Sequence, residues 1–282
     1  MTGPPAREAF LSGKQGRGGG PFSRVEDVVL DAWLAFARAG ARLDELADGM
    51  PSRDVLVLSI YRPDTDALRR ALGELRRTRH SLRTALGAMG NPDPALADET
   101  VAAGLARGKF ANLNTVADAA GGGGAHWIVV VDDDVALPEG FLDRFLAVCE
   151  HLDLTMAQPA QTRASHAAWP VTRRRGGSMA RETRFVEIGP VTCFRRDAWG
   201  ELAPFPALRF GWGLDLHWAA IAAERGWRLG VIDALPVRHE HAAVAAAYSS
   251  DDAIEEARWF LADHAFVDSM RVSQTLRVHR LP

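Results

Sequence analysis

Trp127-Ile128-Val129-Val130-Val131-Asp132-Asp133-Asp134 is the stretch that decides the fold. Its first five residues are apolar and mostly β-branched, too short a run for a typical helix, and they read as a buried strand. Val135-Ala-Leu-Pro138 leaves that strand, and a helix is expected over 139–151. Three carboxylates therefore stand at the C-terminal edge of a buried strand, where ligands bind in open α/β sheets. Like charges this close repel unless solvent or a cation answers them. One reading is an acidic turn in water. The other, favoured by the sheet edge, is a hard divalent cation, Mg²⁺ or Mn²⁺, held together with substrate phosphates.

Upstream, Asp54-Val-Leu-Val-Leu-Ser-Ile60 is a second buried strand ending in the polar turn Tyr61-Arg62-Pro63-Asp64. Before it, residues 24–48 show helical spacing, with a break expected near Gly40. After it, residues 65–79 predict an amphipathic helix whose arginines (Arg69, Arg70, Arg76, Arg77 and Arg79) read as a solvated face. A weaker strand over 82–89 and helical pieces over 95–120, interrupted at Gly108-Lys-Phe110, lead to Gly121-Gly-Gly-Gly124. That glycine run precedes a strand, so it is a connector; phosphate-cradling loops follow a strand and open a helix. Downstream, strands are expected at 154–158, 186–194 and 227–232, and helices at 197–202 and 251–270, with the stretch 210–218 running into a further helix that ends at Arg225. The alternation predicts an α/β fold, a single domain with a mostly parallel central sheet flanked by helices. Residues 1–23 read as a flexible tail, 24–250 as the domain and 251–282 as a C-terminal helical extension.

The bulk numbers exclude several classes. The 282 residues are 47% hydrophobic, enough for a substantial core. A net charge of −3 gives no basic footprint for nucleic acid. Cys149 and Cys193 lack metal-ligand spacing, which suits a reducing cytosol. With no signal-peptide core and no apolar run of membrane-spanning length, the sequence predicts a cytoplasmic protein without an integral membrane segment. Residues 160–184 carry Arg173, Arg174, Arg175 and Arg181 among glycines and read as a mobile basic loop.

Four stretches, in order, carry a resemblance: Ser59-Ile-Tyr-Arg-Pro-Asp64, Lys109-Phe-Ala-Asn-Leu-Asn114, Val131-Asp-Asp-Asp134, and Gly189-Pro190 with Phe194-Arg-Arg-Asp197, Gly213-Leu-Asp215 and His239. Over roughly residues 54–241 the chain resembles nucleotide-sugar glycosyltransferases of the GT-A fold, particularly the large inverting family 2. The resemblance implies a Rossmann-like GT-A domain and a metal-dependent transfer of a sugar from a nucleoside diphosphate donor to an acceptor hydroxyl. It implies that Asp132 and Asp134 match the outer aspartates of the Asp-x-Asp motif, with Asp134 the metal ligand and Asp133 turned away from the metal. His239 completes the metal site with Mn²⁺ or Mg²⁺, and His241 is its backup. Asp215 matches the general base; Leu214 stands where the family usually has Glu, which leaves one carboxylate for the task. Trp212 stacks on a sugar ring or packs in the core. Tyr61 and Arg62 meet the nucleotide base, and Lys109 meets the base or the diphosphate. The four loop arginines close over the diphosphate as a lid or bind an anionic acceptor.

UDP is the first expectation for the nucleotide, ahead of GDP and TDP. The acceptor is a sugar or small metabolite rather than a lipid, since no basic amphipathic membrane helix stands out. Two other readings of the same residues are a retaining GT-A enzyme and a nucleotidyltransferase on a related sheet. A further class, a sugar- or nucleotide-binding module without catalysis, has no use for Asp134, Asp215 and His239 together.

Overall fold

Strands β1 (Asp54–Tyr61) and β4 (Trp127–Val131) lie side by side and parallel at the centre of the sheet. The structure is a computed structural model that describes residues 3–12, 19–63, 66–121, 124–240 and 249–281. His241, Asp64 and the middle of the glycine run lie outside these residues. From β1 the chain steps outward through β2 (Ser81–Ala88) to β3 (Thr100–Ala102), each parallel to its neighbour. It then returns to place β4 on the other flank of β1. The strand order therefore reverses between β1 and β4, and the carboxyl ends of these two strands open a crevice of the kind where ligands bind. Arg62 and Asp132 are the first residues past those ends.

Beyond β4 the sheet becomes mixed. Strand β8 (Val191–Arg195) runs antiparallel to both β4 and β6 (Met156–Gln161), and β6 pairs in parallel with β9 (Leu229–His239). Strands β7 (Ala180–Thr183) and β10 (Thr275–His279) complete the far edge, and the two-residue β5 (Val135–Ala136) pairs with the end of β9. The full order is β10-β7-β9-β6-β8-β4-β1-β2-β3.

Both faces of the sheet are covered, which is why its central strands are apolar without alternation. Leu56, Leu58, Ile128 and Val130 face one core with helices α4 (Lys109–Ala119), α6 (Arg196–Leu202), α7 (Leu214–Arg225) and α8 (Ser250–Asp263). Val55, Val57, Val129 and Val131 face the other with α2 (Ala39–Asp48), α3 (Asp66–Leu75) and α5 (Phe141–His151). The period of two along each strand makes that division.

The helix break expected near Gly40 falls at Arg38, which sits at φ 52° between α1 (Ser23–Phe36) and α2. Gly40 lies inside α2 and faces the Arg144 guanidinium, which pairs with Asp44 at 2.6 Å. Arg69 and Arg70 stand on the solvent side of α3, which ends at Leu75, and Arg76, Arg77 and Arg79 follow it, also exposed. Arg70 reaches Glu240 and Arg76 reaches Glu99. Exposed pairs of this kind contribute little to stability.

The segments at either end are tied into the domain. Phe10, within the stretch expected as a tail, is 3% exposed in the core that holds α4 and α7. Ile254, Ala257, Phe260 and Leu261 of α8 join the same core, and β10 extends the sheet. The short helix α9 (Ser269–Val272) is capped by Asp268 and lies between them.

The basic stretch expected as a mobile lid is instead built into the fold. Arg174 is 2% exposed and pairs with Asp27 and Asp31 of α1. Arg181 forms a buried fork on Asp233, at 2.8 and 2.9 Å, and donates to the Val171 and Arg173 carbonyls. Arg173 donates to the carbonyls of Arg163 and Ser165. The sequence shows these charges but not their partners, which lie far away along the chain.

Breaking a buried pair leaves an uncompensated charge, so Arg181→Met is expected to destabilise the protein by about 3–5 kcal/mol. Urea denaturation checks this, and Asp233→Asn in the same chain is expected to restore much of the loss.

Candidate active site

A cavity of about 550 Å³ opens at the β1/β4 crevice, within the size range of small-molecule sites. Arg62, Lys109, Asp132, Asp133, Asp134, Trp212, Asp215 and His239 all line it. Tyr61 does not. It is fully buried in the opposite core, and its hydroxyl bonds Thr100 Oγ1 at 2.8 Å and accepts from the Asp93 N–H. The expected stacking of Tyr61 on a nucleotide base is therefore corrected. Side chains alternate along β1, so Tyr61 shares the face of Val55 and Val57, while Ile60 points into the cavity.

The three aspartates divide their work. Asp133 is 8% exposed and receives three N–H donors from Arg62: the backbone at 3.0 Å and the guanidinium fork at 3.0 and 2.9 Å. This ties the end of β1 to the loop after β4 and fixes the Arg62 guanidinium at the cavity mouth. Asp132 pairs with Lys109 Nζ at 2.5 Å, and the same ammonium donates to the Ile188 carbonyl at 2.8 Å. Asp134 faces His239, whose Nε2 lies 3.7 Å from Asp134 Oδ1 and 3.9 Å from Asp132 Oδ2.

Local structure brings His239 there. Asp134 leads directly into β5, whose Val135 pairs with His239 at the end of β9. The Glu240 N–H then bonds the Asp134 carbonyl at 2.7 Å. The Ser165 hydroxyl accepts from the His239 backbone at 3.0 Å.

Asp132, Asp134 and His239 each offer one ligand atom, all within 4.8 Å of one another. Two carboxylate oxygens and an imidazole nitrogen form a donor set that suits Mn²⁺ well and Mg²⁺ acceptably. Their charges are strongly coupled. Burial works against the His239 imidazolium, but Asp132 and Asp134 outweigh it and its pKa rises. Burial and the neighbouring Asp132 and Asp133 raise Asp134, with His239 opposing them. Asp132 is held below the usual carboxylate range despite burial, chiefly by Lys109 and His239.

A single aromatic cluster positions both Lys109 and Asp215. Phe110, next to Lys109 in the first turn of α4, meets Phe205 and Trp218 edge-on, with centroids 5.2 and 5.8 Å apart. Trp218 lies on α7, three residues after Asp215. The conspicuous Asn112 and Asn114 are structural. Asn112 bonds the Arg107 backbone, and Asn114 exchanges two 2.8 Å bonds with the Phe205 backbone.

Gly189 permits the close packing beside Asp132. A Cβ there would stand 2.6 Å from Asp132 Oδ2 and 3.0 Å from Lys109 Nζ. Gly211 and Gly213 take φ of 78° and 86°, which turns the chain sharply into α7. Trp212 between them packs on the core and lines the cavity.

Asp215 sits in the first turn of α7, 6% exposed, with Oδ1 accepting from the Leu216 N–H at 3.0 Å. Burial, then repulsion from Glu187, pushes its pKa up to about 8. Glu187 is the residue that sequence reading missed. It is buried and lines the cavity, and burial pushes it up to about 7. Within Val186-Glu-Ile-Gly-Pro it reads as one polar position in a strand, and nothing in that pattern signals a pocket.

The fold is of the GT-A type. Among solved structures the chain is similar to GalNAc-T7 with UDP, GalNAc and Mn²⁺, at TM-score 0.52 and 12% identity, covering 68% of this chain and 44% of that one. It is similar to S. aureus TarS 1–349 in complex with UDP-GlcNAc, at TM-score 0.51 and 10% identity, covering 72% and 64%. A mannosyltransferase from Pyrobaculum calidifontis, in complex with GDP-Man and Mn²⁺, matches at TM-score 0.47 and 18% identity, covering 73% and 68%. The chain thus spans less than two thirds of the first two. At these identities the likeness is one of fold. No protein-family model matches the chain, and no curated protein matches its sequence. Among the described residues no helix is long and apolar enough to cross a membrane.

Proposed function

We propose that the protein is a metal-dependent glycosyltransferase that moves a sugar from a nucleoside diphosphate sugar, UDP first, to an acceptor hydroxyl with inversion. The observation that carries this reading is the convergence of Asp132, Asp134 and His239 in one cavity with Asp215. The strand reversal between β1 and β4 supports it, because it places that convergence at a ligand-binding crevice. UDP accompanies both GalNAc-T7 and TarS, as the nucleotide or as part of the donor.

Asp132, Asp134 and His239 would hold the divalent ion. When bound, Mn²⁺ or Mg²⁺ supplies positive charge against the diphosphate as the leaving group departs. Lys109, fixed beside Asp132, adds a second positive charge on the same side. Arg62, locked by Asp133, presents its planar guanidinium to base or phosphate oxygens. Trp212 offers an aromatic face to a sugar ring. Asp215 takes the proton from the acceptor hydroxyl as its oxygen bonds the anomeric carbon.

The test is thermal stabilisation of the full chain by UDP, GDP and TDP, each with Mn²⁺, Mg²⁺ or EDTA. A ligand at about 100 times its Kd stabilises the folded state by roughly 2.7 kcal/mol, a shift of several degrees for a chain of this size. One nucleoside diphosphate is expected to shift Tm in a metal-dependent way. No shift with any pair sinks the reading, and a shift confined to nucleoside triphosphates would favour nucleotidyl transfer.

A further inference from the structure

We propose that the acceptor carries an amine, bound as an ammonium between Glu187 and Asp215, and that Glu187 selects it. The proposal rests on the glycosyltransferase reading of the same cavity and names the chemical class of its acceptor.

The argument is one of charge company. Asp133 has the Arg62 fork, Asp132 has Lys109, and Asp134 faces His239. A divalent ion at the metal site is matched by the diphosphate it serves. Glu187 and Asp215 are placed differently. Glu187 accepts from Gln161 Nε2 at 2.8 Å, Thr172 Oγ1 at 3.0 Å and the Ala168 N–H at 3.2 Å, all neutral donors. Asp215 accepts from the neutral Leu216 N–H. Both are more than nine-tenths buried, and both line the cavity.

His239 and Arg173 act on Glu187 through space. The first is engaged with Asp132 and Asp134, the second with backbone carbonyls. Arg107, another cation of the lining, turns to the Ala111 carbonyl and the Thr115 hydroxyl. Buried carboxylates are normally either paired or protonated. Among the described residues no cation bonds directly to either of these two, and both line the cavity. The aromatic side chains of Trp169 and Trp212 line the same cavity, beside Phe210, whose ring already carries the Arg209 guanidinium 5.2 Å from its centroid. Aromatic faces beside carboxylates are a favourable setting for an ammonium. An anionic acceptor would meet two carboxylates instead.

The amine is a handle and not the nucleophile. The bond formed joins the acceptor hydroxyl oxygen to the anomeric carbon. The bond broken joins that carbon to the diphosphate oxygen, which keeps the electron pair, and the hydroxyl proton passes to Asp215. An ammonium beside Asp215 favours its ionised form, so the base is readied when the acceptor is seated. Water, which brings no charge, does not ready it.

The experiment uses the full chain loaded with Mn²⁺ and the nucleoside diphosphate that stabilises it. Calorimetry compares matched probes: glucosamine with glucose, galactosamine with galactose, streptamine with scyllo-inositol, and glucuronate as the anion. The amine member of at least one pair is expected to bind about tenfold or more tighter than its neutral parent, with no binding of glucuronate. Glu187→Gln is expected to bring that ratio close to one while the nucleotide still raises Tm. Equal or tighter binding of the neutral members, binding by no amine, binding of glucuronate, or a ratio unchanged in Glu187→Gln each overturns the proposal. Loss of nucleotide stabilisation in the unaltered chain is the separate failure that removes the glycosyltransferase reading itself.

Discussion

Asp215→Asn is expected to lower turnover by about 10²–10⁴-fold, the usual range for losing a positioned general base, while metal-dependent nucleotide binding persists. The change keeps the shape of the side chain and its place in the first turn of α7, so the Leu216 N–H retains an oxygen to bond. What goes is the capacity to take a proton. Release of nucleoside diphosphate from the sugar donor measures turnover, and the thermal shift measures binding. Turnover within a few-fold of the unaltered chain would remove Asp215 from the base role and favour the retaining reading.

The pH dependence has a definite sign. A base works ionised, so with an uncharged acceptor the rate is expected to rise as pH climbs through about 8. That rise belongs to Asp215 and Glu187 as an interacting pair. The folded-state pKa of Asp215 lies above its ordinary 3.8. The folded chain therefore holds that proton more tightly than the unfolded chain. The stability this contributes is present at acid pH and is lost as pH rises from about 4 to about 8. Asp215→Asn is expected to flatten that decline.

Much of this site was legible because its residues sit at ends of elements with strong local patterns. The β-branched run before Asp132 declares a strand, and its carboxylates then fall at a sheet edge. Asp215 follows a glycine-aromatic-glycine turn that leads into a helix. His239 follows a strand and comes third in a recognisable order. Residues whose place depends on distant partners were not legible in this way. Arg174 and Arg181 read as charges of a mobile loop, free to close on a ligand, because Asp27, Asp31 and Asp233 stand 147, 143 and 52 residues away.

Tyr61 was misplaced by a single step of strand alternation, since the end of β1 alone does not say which side chain turns toward the crevice. Glu187 escaped notice because a buried carboxylate in a short apolar stretch carries no local mark. Its role depends on cavity walls drawn from segments near residues 168, 188 and 212. Phe10 escaped for a related reason: apart from Leu11 its near neighbours in sequence are polar or small, and the core it joins is built from segments far along the chain.

Asp134→Ala is expected to act in opposite directions with and without metal. Asp134 is partly buried against two further carboxylates, an arrangement that local stability does not favour. Removing it relieves that repulsion, so the metal-free variant is expected to unfold at the same temperature as the unaltered chain or slightly above it. The same change deletes one of three ligands. Loss of residues that merely support a ligand typically costs 10–100-fold in metal affinity, so loss of the ligand itself is expected to weaken Mn²⁺ binding by about 100-fold or more. Nucleotide stabilisation that depends on the ion is then expected to vanish. Melting curves of both proteins, with EDTA and with Mn²⁺ plus nucleotide, read both effects in one experiment, and the expected result is curves that cross. A variant that is less stable in EDTA would mean that Asp134 serves the fold. A variant that keeps its metal-dependent shift would move the ion away from Asp132, Asp134 and His239. The crossing is the outcome that marks these side chains as held together for a ligand, because Asp134, raised by burial and by Asp132 and Asp133, is offset only in part by His239.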